Sequence, residues 1–204
     1  MSLSAASLLR LMHQHSMRVF TTADLIAISG MAPAAATKAL TRLSSQGLTA
    51  RIKKGVWVSK LAEGLNPYEA VPFLRAPWPA YVSLHSVLAD CGVVEEIPQV
   101  VYGVSPAAPK RYRTPIGEFH FHHLPARLMW GYDVRRQGLA GFSAAEPEKA
   151  FLDLVYLALV PRCPLAFPVK RGRKWNLDVP KLRRYAGRFG FPPLDRWLVE
   201  NRLI

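Results

Sequence analysis

Glu118, His120 and His122 alternate along one stretch of the chain, so as a strand they share a face, a spacing compatible with a metal ion. His123 then points the other way, and a fourth ligand is needed, for which Asp133 is a candidate. A polar sheet face meeting solvent or DNA accounts for the same residues without a metal. Glu146, Glu148 and Asp153 surround Lys149 and suggest acid–base chemistry. Two of these carboxylates, however, fall in the first turns of a helix, where negative charge is favourable in any case, and Lys149 shields such neighbours more readily than it acts as a base. Ser83, His85 and Asp90 form no triad of nucleophile, base and orienting acid. No Gly-rich phosphate loop is present. Trp78, Trp130, Trp175 and Trp197 read as packing residues rather than base-stacking platforms. The expectation is a protein with no catalytic residues, no metal and no cofactor.

The chemistry that remains is recognition of a polyanion, and residues 19 to 58 carry it. After apolar Val19-Phe20, Thr21-Thr22 can cap a helix over Ala23 to Ile28, with Asp24 at its positive end. Ser29-Gly30 breaks it. Pro33 suits the first position of a second helix, whose Ala36, Leu40 and Leu43 recur at helical spacing until Gly47. Leu48 to Ile52 and Val56 to Val58 then alternate around Lys53-Lys54-Gly55 as a β-hairpin. Helix, turn, helix and hairpin is the order of a winged helix-turn-helix, which lays its second helix in the major groove. With Ala36, Leu40 and Leu43 inward, Thr37, Lys38, Thr41, Arg42 and Ser45 form an outward face without an acid. Arg42 and Lys38 suit guanine or phosphate, and the hydroxyls suit phosphate or base edges. Arg51, Lys53 and Lys54 suit a wing along the DNA backbone.

The 204 residues hold 27 Lys+Arg against 14 Asp+Glu, a formal net charge of +13. The segments 1–64, 65–160 and 161–204 carry +6, −1 and +8, so two basic ends flank a nearly neutral middle. Such a field favours a nucleic acid and makes binding salt-dependent. In the basic tail, Lys170, Arg171, Arg173 and Lys174 with Trp175 lie between proline-marked breaks as a second phosphate grip, continued by Lys181, Arg183, Arg184 and Arg188. A membrane partner is disfavoured, because no long apolar span or basic amphipathic helix with exposed aromatics is evident. Met1 to Ala6 lacks the layout of a secretion signal, and Cys91 and Cys163, without metal-type spacing and set among apolar neighbours, read as reduced thiols. A cytoplasmic location is expected.

The length suits two units, 1–63 and 64–204, divided where the hairpin's alternation stops between Ser59 and Asn66. Ser4 to His15 supplies a further helix to the first unit. In the second, Tyr68 to Leu74 and Ser83 to Gly92 read as helices. Gln99 to Val104, Gly117 to Leu124, Trp130 to Arg136 and Leu139 to Phe142 read as an antiparallel set of strands. Ala144 to Leu159 is the strongest helix, with Ser143 as its cap; Asp178 caps a helix through Leu182 and Tyr185, and a last one runs through Trp197 to Leu203. The fold class is α+β, a winged helix-turn-helix followed by a mixed α/β domain with an antiparallel sheet and C-terminal helices.

Several runs, in this order, resemble the AbiEi antitoxin family: Asn66-Pro67-Tyr68, then Pro79 to Leu84, then Val93-Val94-Glu95-Glu96-Ile97-Pro98, then Ala145 to Asp153 with its Pro147-Glu148-Lys149-Ala150 helix start. Cys91-Gly92 departs from an expected histidine-glycine pair. The resemblance implies an N-terminal winged helix joined to a C-terminal antitoxin domain. It also implies repression of its own toxin–antitoxin, viral-defence operon through double-stranded operator repeats, and neutralisation of a co-encoded nucleotidyltransferase-like toxin without stable contact. The alternative is an RNA- or toxin-binding adaptor without operator specificity.

Overall fold

The computed structural model describes residues 4–96, 98–169 and 175–204. Helix α1 (Ala5–Gln14) is capped by Ser4, whose hydroxyl accepts from the Ser7 amide at 3.1 Å. Strand β1 (Val19–Thr21) leads directly into α2 (Thr22–Ser29). There Thr21 and Asp24 form a reciprocal capping box, and Gly30 closes the helix at φ 65°, a conformation open to glycine at little cost. Helix α3 (Pro33–Ser45) begins on proline and is followed by the hairpin of β2 (Thr49–Lys53) and β3 (Val56–Ser59). The three strands pair antiparallel in the order β1-β3-β2. Helix, turn, helix and hairpin stand where the sequence placed them; β1, with two apolar residues, was too short to read as a strand.

This small sheet has no solvated face. Phe20 and Trp57 turn to the helices, packing with Leu8, Met12, Leu25, Leu40 and Leu43. Val19, Ala50, Ile52, Val56 and Val58 turn the other way and join the core of the rest of the chain. Alternation along a strand therefore buries β3 on both sides, which is why all four of its residues are buried.

Residues beyond Lys60 build the larger body. A single 3-10 turn, Pro67–Ala70, runs into α4 (Val71–Arg75), then β4 (Tyr81–Val82), α5 (Leu84–Asp90), β5 (Val101–Ser105), β6 (Lys110–Thr114) and β7 (Gly117–His123). After a second short turn come β8 (Tyr132–Gln137), β9 (Ala140–Ala145), α6 (Pro147–Leu159), α7 (Val179–Phe189) and α8 (Pro192–Glu200). The strands form a six-stranded sheet in the order β6-β7-β5-β4-β9-β8. Both edges are antiparallel pairs, β6–β7 and β8–β9, as is β4–β5, while β5–β7 and β4–β9 are parallel. The α+β class stands, with a sheet more mixed than strand patterns alone indicate. Parallel pairs are set by crossovers, which leave no local signature. Strands β4 and β6 were also unread, the first for its two residues and the second for its Lys-Arg-Tyr-Arg-Thr composition.

Helix α6 starts later than the sequence suggested. Ser143 lies in β9 rather than capping a helix, and Glu146 is the N-cap. Pro147 sets the first helical position, so the residues ahead of it extend instead. Phe151, Leu152, Leu154 and Val155 of α6 are fully buried. Among the described residues no helix is long and apolar enough to cross a membrane.

Polar groups lock the body to the small sheet. Arg18, just before β1, pairs with buried Glu69. Lys53 at the end of β2 donates to the carbonyls of Leu74 and Ala76 at 3.1 and 3.3 Å at the end of α4, where the Leu74 carbonyl also accepts from the Tyr112 hydroxyl at 2.8 Å.

Candidate nucleic-acid interface

Ala36, Ala39, Leu40 and Leu43 seat α3 on the N-terminal core, leaving Thr37, Lys38, Thr41, Arg42 and Ser45 exposed on its other side. The sequence expected this exposed face to be cationic and to bear hydroxyls, and it is so built. Thr37 donates its hydroxyl to the Pro33 carbonyl at 3.0 Å, Thr41 to Thr37 at 2.9 Å and Ser45 to Arg42 at 2.8 Å. While those protons bond within the helix, the oxygens offer lone pairs outward. That suits base amino groups, which donate, better than phosphates, which only accept. Lys38 and Arg42 are the donors left for phosphate or guanine.

The hairpin is tied to α2. Trp57 Nε1 donates to Thr22 Oγ1 at 3.0 Å, and the Thr22 amide donates to the Gly55 carbonyl at 2.9 Å, tying the hairpin turn to the start of α2. Gly55 turns at φ 74°.

The hairpin's cations divide. Arg51 and Lys54 are exposed. Lys53, expected beside them on the wing, instead anchors on α4 and is only partly accessible, because a bulge between Arg51 and Lys53 brings it opposite Val56, on the face toward the body. Lys170, Arg171, Arg173 and Lys174 lie outside the described residues. On α7, Lys181 pairs with Glu146 and Glu148 at 3.0 and 3.2 Å, whereas Arg183, Arg184 and Arg188 are exposed, Arg188 lying 4.2 Å over the Trp130 ring. Burial works to lower Lys181, but its two carboxylate partners raise it overall.

The residues that suggested catalysis fall into two separate groups. Glu118 bonds His120 Nε2 at 2.8 Å, a contact that holds its carboxyl below the usual range. Among the described residues no three His, Cys, Asp or Glu side chains gather to hold a metal. Lys149 is fully buried and pairs with Asp153, one turn along α6, not with Glu146 or Glu148. Its ammonium also donates to Tyr81 Oη at 2.9 Å, while Tyr81 and Ser83 donate to Asp153 Oδ2 at 3.1 and 2.9 Å. Burial draws Lys149 down and Asp153 up, against the attraction of each for the other. With all four side chains sealed from solvent, this is an internal brace between α6 and β4 rather than a reaction centre.

An N-terminal helix-turn-helix with a hairpin wing, carrying an exposed cationic face on its second helix, belongs structurally to the winged-helix class of DNA-binding modules. Residues 6–60 match the sequence model of a family described as "Transcriptional regulator, AbiEi antitoxin". This match supports a DNA-binding regulatory role and ends where the larger body begins. No curated protein matches the chain.

Residues 110 to 114 were missed as a strand beside the His120–His122 face. Their only signal is the Thr114-Pro115-Ile116-Gly117 turn that follows, which marks the preceding run as one arm of a hairpin.

Proposed function

We propose that the protein is a sequence-specific DNA-binding repressor acting on its own operon as the antitoxin of a toxin–antitoxin, phage-defence pair. The observation that supports it best is the acid-free outer face of α3, whose other side is buried in the N-terminal core. In this reading Arg42 and Lys38 grip guanine or phosphate, and Thr37, Thr41 and Ser45 accept from base amino groups. Arg51 and Lys54 follow the adjacent backbone, and the basic tail at 170–174 extends the contact. The toxin is opposed without a lasting complex, and the protein works in the cytoplasm.

The test is competition binding of the full chain to the promoter region upstream of its own gene and to scrambled DNA of equal length. Arg42→Ala and Thr41→Ala should each lower the preference for the promoter by about 1–3 kcal/mol. Equal loss on both DNAs would reduce those side chains to phosphate contacts. Absence of any preference in the unsubstituted protein, with capture of RNA or of the neighbouring gene product instead, would favour an adaptor and overturn the repressor.

A further inference from the structure

In the larger body, β6, β7 and the chain just after α6 line an open cavity of about 420 Å³. Leu157, Val160, Pro161 and Pro164 make one side of it apolar. Lys110, Arg111 and Arg162 stand around it with His120 and His122, and no carboxylate is among its lining residues. The register explains the grouping. Arg111 lies opposite His120 in the β6–β7 pair, and His122 follows two residues along, so all three share one face of the sheet. Glu118 engages His120 Nε2, which fixes that ring.

Three further observations make this more than a basic surface. The buried Nε2 of His122 has no hydrogen-bond partner, an uncommon state for a buried polar atom and one that calls for an explanation. Its other nitrogen sits 4.0 Å from Cys163 Sγ, too long for more than a weak contact. Arg162 adopts φ 67°, a left-handed conformation few side-chain-bearing residues take. Arg162 also lies close to the end of α6, so part of its charge offsets the negative end of that helix and Arg111 is the main cation of the cavity, while Lys110, opposite Phe121 on the other face of the sheet, places its ammonium 5.1 Å over the Tyr112 ring. Burial, then His120, Arg111 and His85, hold His122 down to about 4, so near neutral pH it brings a hydrogen bond and no charge.

Cations, a neutral imidazole and an apolar wall complement a compact molecule with an anionic head and a flat apolar body. The volume lies in the lower part of the range for small-molecule sites. We propose that this cavity binds a phosphate-bearing small molecule of nucleoside monophosphate size, its phosphate held by Arg111 and Arg162 and its base against Leu157, Val160 and Pro161. On the proposed function, the site would give the regulator a metabolite-sensing input, and its strand β6 abuts β2 of the winged helix.

Isothermal titration of the full chain with adenosine 5′-monophosphate, and separately with inorganic phosphate, tests this without DNA, so failure here is distinct from failure of the operator reading. Saturable nucleotide binding is expected, with inorganic phosphate about tenfold weaker or more for lack of the apolar body. Arg111→Glu, on an exposed strand position, and Val160→Trp, which fills the cavity and leaves its charge intact, should each weaken the nucleotide by about tenfold or more. Retained melting temperatures would show that both variants fold. No saturable binding up to millimolar nucleotide, or binding that ignores both substitutions, would overturn the site. Equal affinity for phosphate and nucleotide would overturn the apolar recognition. A DNA salt slope that falls with Arg111→Glu while nucleotide binding stays constant would assign these cations to the duplex instead and overturn the proposal.

Discussion

Arg18 holds Glu69 in a two-pronged grip, Nε to Oε2 at 2.7 Å and Nη2 to Oε1 at 3.0 Å, across 51 residues of sequence. The same guanidinium donates to the carbonyls of Glu63 and Gly64 at 2.8 and 2.9 Å, so a single side chain clamps the connection between the winged helix and the larger body. Glu69 also accepts from the Asn66 amide at 2.9 Å, and its hydrogen bond to Arg18 raises the guanidinium further above its ordinary value. Glu69→Ala should cost about 3 kcal/mol in equilibrium denaturation, since it leaves a mostly buried cation with carbonyls alone. A double-mutant cycle with Arg18→Ala should return a coupling of about 1 kcal/mol or more; additive losses would mean that the two act independently.

Neighbouring lysines should behave oppositely. Lys53 is anchored on the end of α4, and Lys54 is exposed at the hairpin tip. Lys53→Met should lower stability by about 1–2 kcal/mol, because two carbonyls lose a charged donor. Lys54→Ala should leave stability within about 0.5 kcal/mol and, on the proposed DNA complex, lower the salt slope by about one unit. Urea denaturation and salt-dependent binding would separate the pair.

The Lys149–Asp153 brace should tolerate loss of both charges better than loss of one. Lys149→Met or Asp153→Leu alone strands a buried ion and should cost about 3–5 kcal/mol, whereas the two together should recover part of that loss. The Lys149 stem also sets Gly131, where an added Cβ would meet Lys149 Cγ at 3.0 Å on a backbone at φ 69°. Gly131→Ala should therefore destabilise by about 1–3 kcal/mol. Thermal or chemical unfolding checks each variant, and a stable Lys149→Met single variant would contradict the brace.

Acid should weaken the fold partly through His122. Its folded value near 4 lies below the ordinary 6.5, so the unfolded chain binds the extra proton between those limits. The contribution of the neutral ring is complete above about 6.5 and is lost as the pH falls toward 4, with a ceiling of about 3 kcal/mol set by the width of that window. His122→Asn should flatten stability against pH over that interval. An identical profile in the variant would place the acid sensitivity elsewhere.

Local signals carried the N-terminal architecture. The Thr21–Asp24 capping box, Pro33 at a helix start and the Lys53-Lys54-Gly55 turn each act within four residues, and the helical period of Ala36, Leu40 and Leu43 gave the buried side of α3 directly. What stayed hidden depends on distant partners. Nothing local distinguishes Lys53 from Lys54, since only the approach of α4 separates them. Glu146 and Glu148 were set apart as helix-start carboxylates, but their pairing with Lys181 arises from how α7 folds back. Ser143 looked like a cap because serine favours such positions, until pairing of β9 with β8 and β4 claimed it for the sheet.

The inward-and-outward greasiness of the small sheet limits how the chain can be divided. Cut after residue 63, the leading fragment would present Val19, Ala50, Ile52, Val56 and Val58 to water as a bare oily flank. Such a piece would clump or recruit foreign surfaces, so the winged helix is no detachable cartridge and travels with its own backing plate.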